Sequence, residues 1–223
     1  MVKRILTVWL LFVLLVIAVG MFLLFSESKY GVLEKVRNRV APYQFSTGGE
    51  ACLVKLKERG IKYRNMGTSA ENDVCTIYDA VQIRNFPNTK MSRPVLLNCQ
   101  TAMDLADWFE EIEAKEVEHM GSYHCRKIRG SARTWSQHSF GSAVDISHIN
   151  GASLKEDWFK ENENSKYLKQ AGKDACHYFS NVLTPDSNAA HHDHFHLDNG
   201  PRFGSCGPAW INFINNAANY FLN

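Results

Sequence analysis

The sequence predicts an α+β fold, a small antiparallel sheet flanked by helices and preceded by one transmembrane helix. Three observations predict it. An uncharged apolar run, Ile5 to Phe25, stands near the N-terminus; three later segments carry helical periodicity or helix-end signals; and the short extended segments between them do not alternate with helices in βαβ units. The 223-residue length allows one ordinary domain plus one further element. With 25 positive against 23 negative side chains, a net charge of +2, the balance is too even for nucleic acid to be a partner. At 45% hydrophobic and 22% charged residues the chain can bury a core, which excludes a disordered tail.

As a helix, Ile5 to Phe25 would be about 31 Å long, enough to cross the hydrocarbon layer. Lys3 and Arg4 precede it and place the short N-terminus in the cytoplasm. A cleaved signal peptide is the rival reading, but the run exceeds an ordinary h-region and Phe25-Ser26-Glu27-Ser28 offers no small-x-small cleavage site. The sequence therefore divides into a cytoplasmic stub and signal anchor over 1–28, a linker over 29–49 that ends in Gly48-Gly49, and a domain over 50–223. A single-pass anchor in the lipid bilayer of a bacterial inner membrane, with the domain in the periplasm, is the expected arrangement.

Within the domain, Glu50 to Arg59 reads as a helix ended by Gly60, with Leu53, Val54 and Leu56 as its apolar positions. Thr101 to His119 reads as a longer helix capped by Thr101 with Asp104 behind it, and Met103, Leu105, Ala106, Phe109 and Ile112 form its buried stripe. Ala171 to Val182 reads as a third, bounded by Gly172 and Pro185. The extended segments are 94–97, 143–149 and 195–197. Cys52, Cys75, Cys99, Cys125, Cys176 and Cys206 are an even set placed beyond the membrane run, with no CxxC pair. In an oxidising compartment they most simply form three disulfides, each worth ~2–4 kcal/mol.

Four of the nine histidines fall between 191 and 196. On a strand, side chains two apart share a face, so His194 and His196 point together while Phe195 and Leu197 turn to the core. Imidazole is a common zinc ligand, although a lone HxH is by default a pair of solvated histidines. A second segment, Ser136 to Asp145, carries His138 and Asp145 seven residues apart. Neither a straight strand nor a straight helix brings those two together, so the chain must turn between them, and Gly141 supplies the flexible point. A His, an Asp and a His from the HxH make a three-ligand site with an open fourth position, the arrangement of catalytic zinc.

The pattern SxHxxGxAxD from Ser136 to Asp145, with the downstream HxH, resembles the zinc peptidase superfamily of lysostaphin, D-alanyl-D-alanine metallopeptidases and hedgehog. Within it the chain is most similar to the bacterial extensin-like C-terminal domain, through Gly121 to Arg126, the SxHxxGxAxD run, Ala175 to Phe179, Val182 to Asn188 and His191 to Asp198. The resemblance implies that His138, Asp145 and His196 bind Zn²⁺ and that His194 is the active-site histidine that is not a ligand. It matches His191 to a further histidine near the metal in murein endopeptidases, and puts Asp193 where the carboxypeptidase branch has a Glu. Either His194 or Asp193 is then the general base, and strand parity favours His194. The resemblance also implies disulfides Cys52–Cys75, Cys99–Cys125 and Cys176–Cys206.

The function these readings point to is a zinc-dependent peptidase acting on cross-link or D-alanyl-D-alanine type bonds of peptidoglycan by metal-activated water. The alternative is a non-catalytic cell-wall-binding or structural module that retains the zinc site. Arg126 and Arg133, close before the motif, are candidates to hold a substrate carboxylate, with Arg133 preferred. His119, His124, His148 and His177 read as surface or structural histidines, and Ser136 as a turn residue rather than a nucleophile. Trp135 is a candidate groove-lining aromatic.

Overall fold

The computed structural model describes residues 49–72, 74–200 and Cys206. The expected membrane run and most of the linker lie outside these residues, as does most of the chain beyond Gly200. Among the described residues no helix is long and apolar enough to cross a membrane.

Helix α1 (Glu50–Glu58) ends as its sequence requires. Gly60 adopts φ 71° and Ile61 N–H reaches back to the Leu56 carbonyl at 3.0 Å, closing the helix C-terminus. Leu56 is buried, but Val54 stands 48% exposed and so is not part of the apolar face. Strands β1 (Tyr63–Ala70), β2 (Thr76–Phe86) and β3 (Thr89–Asn98) follow as antiparallel neighbours. Helix α2 (Cys99–Glu111) then carries the chain across to β4 (Glu116–Gly121), which runs parallel to β3. The rest comprises β5 (Ala143–Ile149), β6 (Ala152–Ser153), the short α3 (Leu154–Asp157), α4 (Glu163–Asp174), β7 (Asn181–Leu183) and β8 (Phe195–Asp198). The sheet order is β1-β2-β3-β4-β5-β8-β7, with β6 paired to β5.

The α+β class holds, while the sheet is larger than expected: eight strands, antiparallel except for β3 with β4. That exception is one βαβ crossover, which the expected long helix had concealed. The helix stops at Glu111 because Glu113 turns into the left-handed region at φ 51°, and Ala114 N–H bonds back to Phe109 O at 2.9 Å. Beyond it Val117 and His119 are buried while Glu116, Glu118 and Met120 are exposed, the period of a strand. The cap is Asn98, not Thr101: its side chain accepts the Thr101 N–H at 2.8 Å.

The third helix begins earlier and ends earlier than expected. Asn162 caps it by accepting the Ser165 N–H at 2.8 Å, and after Asp174 the chain passes through the 3₁₀ turn Ala175–His177 into β7. Gly172 is interior to the helix because the Phe195 ring lies against it; a Cβ there would stand 3.3 Å from that ring. Trp108 joins these layers. It is fully buried, its indole N–H donates to Ala171 O at 3.0 Å, and its ring meets Phe195 edge-on at 6.4 Å. Burying an aromatic of this size is worth about 1.5–3 kcal/mol, beyond which the edge-on contact adds more.

Three disulfides are present, but two pairings differ from those the resemblance implied: Cys52–Cys99, Cys75–Cys125 and Cys176–Cys206. The reason is packing. Helix α1 lies beside the start of α2, which sets Cys52 and Cys99 6.1 Å apart at Cα, and the β1–β2 connection abuts the segment after β4, which sets Cys75 and Cys125 5.5 Å apart.

Candidate metal centre

His138 sits in a 3₁₀ turn, Gln137–Phe140, capped by the Ser136 hydroxyl, which accepts the His138 N–H at 3.4 Å. Ser136 is thus the turn residue expected. Gly141 ends the turn at φ 62°. Its place is tight: a Cβ would lie 2.8 Å from Ile77 Cγ2 and 2.9 Å from the Asn98 nitrogen, so only glycine combines this backbone with this contact. Two residues on, β5 begins and delivers Asp145 opposite His196 of β8, its direct partner in the antiparallel ladder.

His138, Asp145 and His196 offer one ligand atom each, all within 4.8 Å of one another. His138 Nε2 is 3.1 Å from Asp145 Oδ2 and 3.2 Å from His196 Nδ1, and His196 Nδ1 is 2.8 Å from Asp145 Oδ1. The outward nitrogens are both tied. His138 Nδ1 bonds to the Ser122 carbonyl, and His196 Nε2 lies 3.0 Å from Asp198 Oδ2. Three convergent donors, two of them imidazoles hydrogen-bonded on their far sides, are the chemistry of a zinc site, so these residues fit the metal the motif implies. His138 is 3% exposed at its side chain whereas Asp145 and His196 keep 15% and 13%, so the cluster opens to solvent on their side.

The electrostatics match. Burial opposes charge on Asp145, but hydrogen bonds from His138 and His196 outweigh it and hold the carboxyl well below its usual range. Burial likewise works against charge on His196, yet Asp145 and Asp198, one at each nitrogen, more than offset it and raise its pKa. His194 occupies the turn before β8, with Nε2 3.7 Å from Asp145 Oδ1 and Nδ1 2.7 Å from Asp193 Oδ1. The hydrogen bond to His194 holds the Asp193 carboxyl below its ordinary value. His191, in the 3₁₀ turn Ala189–His191, sets its ring tilted against those of His194 and His196, with centroids 5.1 Å and 5.6 Å away. Burial, and then the neighbouring imidazoles, lower its pKa to about 4.

The structure therefore gathers His138, Asp145, His196, His194, His191 and Asp193. Arg126 and Arg133 are exposed on a hairpin in which Lys127 bridges Trp135 and Ile128 N–H bonds Thr134 O at 2.8 Å. The hairpin's base is fixed to the His138 turn, since Ser139 Oγ donates to Arg126 O at 2.8 Å and accepts the Arg126 N–H. Trp135 packs on Phe140 beneath the hairpin, with Lys127 Nζ 5.6 Å from its ring centre. Of the other histidines, His119 is buried on the Arg93 carbonyl, His148 pairs with Glu118 and His177 with Glu111. Glu111, Asp174 and His177 also approach one another, on the surface, where ordinary ion pairing accounts for them.

Sequence reasoning gave no role to Ser122 or Asp198. Nothing local marks the Ser122 carbonyl. Asp198 did carry a signal: it extends the alternation to HxHxD, so period two sets it on the face of His196. No curated protein and no solved structure matches the chain. Residues 50–207 match the family described as extensin-like protein C-terminus, and the chain belongs to that family.

Proposed function

We propose that the protein is a zinc-dependent peptidase acting on peptidoglycan peptides, at cross-link or D-alanyl-D-alanine type bonds. The observation that carries the reading is the convergence of His138, Asp145 and His196 with His194 held beside them by Asp193. Zinc, when bound, would supply a Lewis acid for the scissile carbonyl and an acidified water. The protein's own part centres on His194. Its Nδ1–H donates to Asp193, which leaves the Nε2 lone pair turned toward Asp145 and the cluster. His194 accepts the proton of the attacking water at Nε2 and returns it to the leaving amine. Histidine and aspartate thus act as a pair: His194 is the base and Asp193 fixes its tautomer. Arg126 and Arg133, on the hairpin tied to the His138 turn, hold the substrate carboxylate once a substrate lies across the opening. The uncharged Ile5 to Phe25 run and the disulfides support anchoring in a bacterial inner membrane with the domain in the periplasm.

Incubating the zinc-loaded full chain with purified peptidoglycan tests the reading. New free amine ends are expected, with a fall of about 10²–10⁴-fold for His194→Ala and a smaller one for Asp193→Asn. Zinc binding with no amine release would discard the peptidase and leave a wall-binding module that retains its metal.

A further inference from the structure

We infer that Asp198 is a positioning residue that dictates which nitrogen of His196 faces the metal. The inference rests on the proposed zinc site but concerns a residue outside its ligand set. His196 and Asp198 are two apart on β8 and share a face, so the carboxylate reaches the imidazole edge that points away from the cluster. Asp198 Oδ2 accepts the His196 Nε2–H at 3.0 Å. Its other oxygen accepts twice, from Asn181 Nδ2 at 2.7 Å and from the Gly200 N–H at 2.7 Å. Asp198 is 6% exposed, and a carboxylate so buried persists only when its oxygens are satisfied. Here three donors from three places satisfy it, and one of them is the ligand itself.

The consequence is a choice of nitrogen. With its proton held on Nε2, His196 can present only Nδ1, which is the atom lying 2.8 Å from Asp145 Oδ1 and 3.2 Å from His138 Nε2. His138 is fixed the other way round, by Ser122 on its Nδ1, and presents Nε2. The two histidines therefore offer opposite nitrogens, each imposed by an acceptor behind it. Gly200 belongs to the same device: a Cβ there would come within 2.7 Å of Asp198 Oδ1 and 2.8 Å of Gln137 Cδ, so the main chain can grip the carboxylate only without a side chain.

Long-range ¹H–¹⁵N spectra of the zinc-loaded wild type read the nitrogen directly. The proton is expected on His196 Nε2 and the metal on Nδ1; metal on Nε2 would overturn the inference without any variant. In competition with a colorimetric zinc chelator, Asp198→Ala is expected to weaken zinc binding about 10–100-fold, and the isosteric Asp198→Asn, which keeps an acceptor, by less. An affinity within about twofold of wild type for Asp198→Ala would equally overturn it. If the wild type binds no zinc, the peptidase reading and this inference fall together, since no metal then selects a nitrogen of His196. Failure to cut peptide while these results hold would sink the reaction and leave Asp198 its role.

Discussion

Asp145 on β5 and His196 on β8 are cross-strand partners whose side chains meet at 2.8 Å. A ladder pair holds these two candidate ligands at fixed spacing before any metal arrives, so the sheet sets the pair's geometry and only His138 depends on a turn. Pre-organised donors bind without first ordering a loop, and binding to the folded state alone stabilises it by mass action. Zinc at about 100 times its Kd adds ~2.7 kcal/mol, which in a protein of this size raises Tm by about 5–10 °C. Scanning calorimetry with zinc and with chelator should show that rise in the wild type and its loss in Asp145→Ala. Equal shifts in both proteins would place the metal elsewhere.

Gly141 is the joint between the His138 turn and β5, and also the point where that turn touches the cap of α2: Asn98 N–H donates to Gly141 O at 2.8 Å. Gly141→Ala meets both a left-handed backbone at φ 62° and a contact of 2.8 Å to Ile77. Each alone costs about 1 kcal/mol or more, so urea unfolding should show a loss of about 2–4 kcal/mol. Zinc affinity should fall with it, because His138 moves when the turn does. A stable variant with weakened zinc binding would show that the strain is relieved at the turn's expense; a variant unchanged in both would refute the account.

The same turn shows what the sequence could and could not reveal. His138 and Asp145 were legible because their spacing is impossible for either regular period, which left a turn at Gly141 as the only way to unite them. His194 stands in the turn just before β8 and comes within 3.7 Å of Asp145 from there, whereas His196 followed from period two, with Phe195 and Leu197 turned to the core. Asp198 lies two further along that series, yet a carboxylate behind a histidine resembles any other strand polar residue until β7 and Gly200 are seen to converge on it. The overlong second helix failed for a different reason. The apolar stripe ends at Ile112, since Lys115 and Glu116 hold the next helical positions, and the left-handed turn at Glu113, which glutamate rarely makes, is what breaks the helix there. Cys176–Cys206 is the pairing the resemblance implied, whereas the other two depended on tertiary packing: α1 against α2 for Cys52–Cys99, and the β1–β2 connection against the segment after β4 for Cys75–Cys125.

Non-reducing peptide mapping should therefore recover Cys52 linked to Cys99 and Cys75 linked to Cys125. A Cys52–Cys75 peptide would refute the placement of α1. Replacing Cys52 and Cys99 together by Ala should lower stability by about 2–4 kcal/mol, because the bridge closes a long loop in the unfolded chain. Replacing Cys52 with Cys75 instead should cost more, since it breaks two bridges and leaves two thiols without mates.

Asp104, on α2, gives a pH dependence that is separable from the metal site. Burial raises its pKa to about 6, against hydrogen bonds from Gln100 and from Asn199 that act to lower it. Because the folded pKa is the higher, between about pH 4 and pH 6 the native chain keeps a proton that the unfolded chain has lost. Stability from this group therefore falls as pH rises through that window and levels off above it. The shift is worth at most about 3 kcal/mol, and screening at a half-buried site reduces this to ~1 kcal/mol. Asp104→Asn removes the titration while preserving the amide-to-oxygen contact with Asn199, which lies 2.6 Å from Oδ2. Urea midpoints of metal-free wild type and variant, compared from pH 4 to pH 7, should diverge in the variant's favour as pH rises. A difference that stays flat across that range would show that Asp104 ionises in the native protein as it does in the unfolded one.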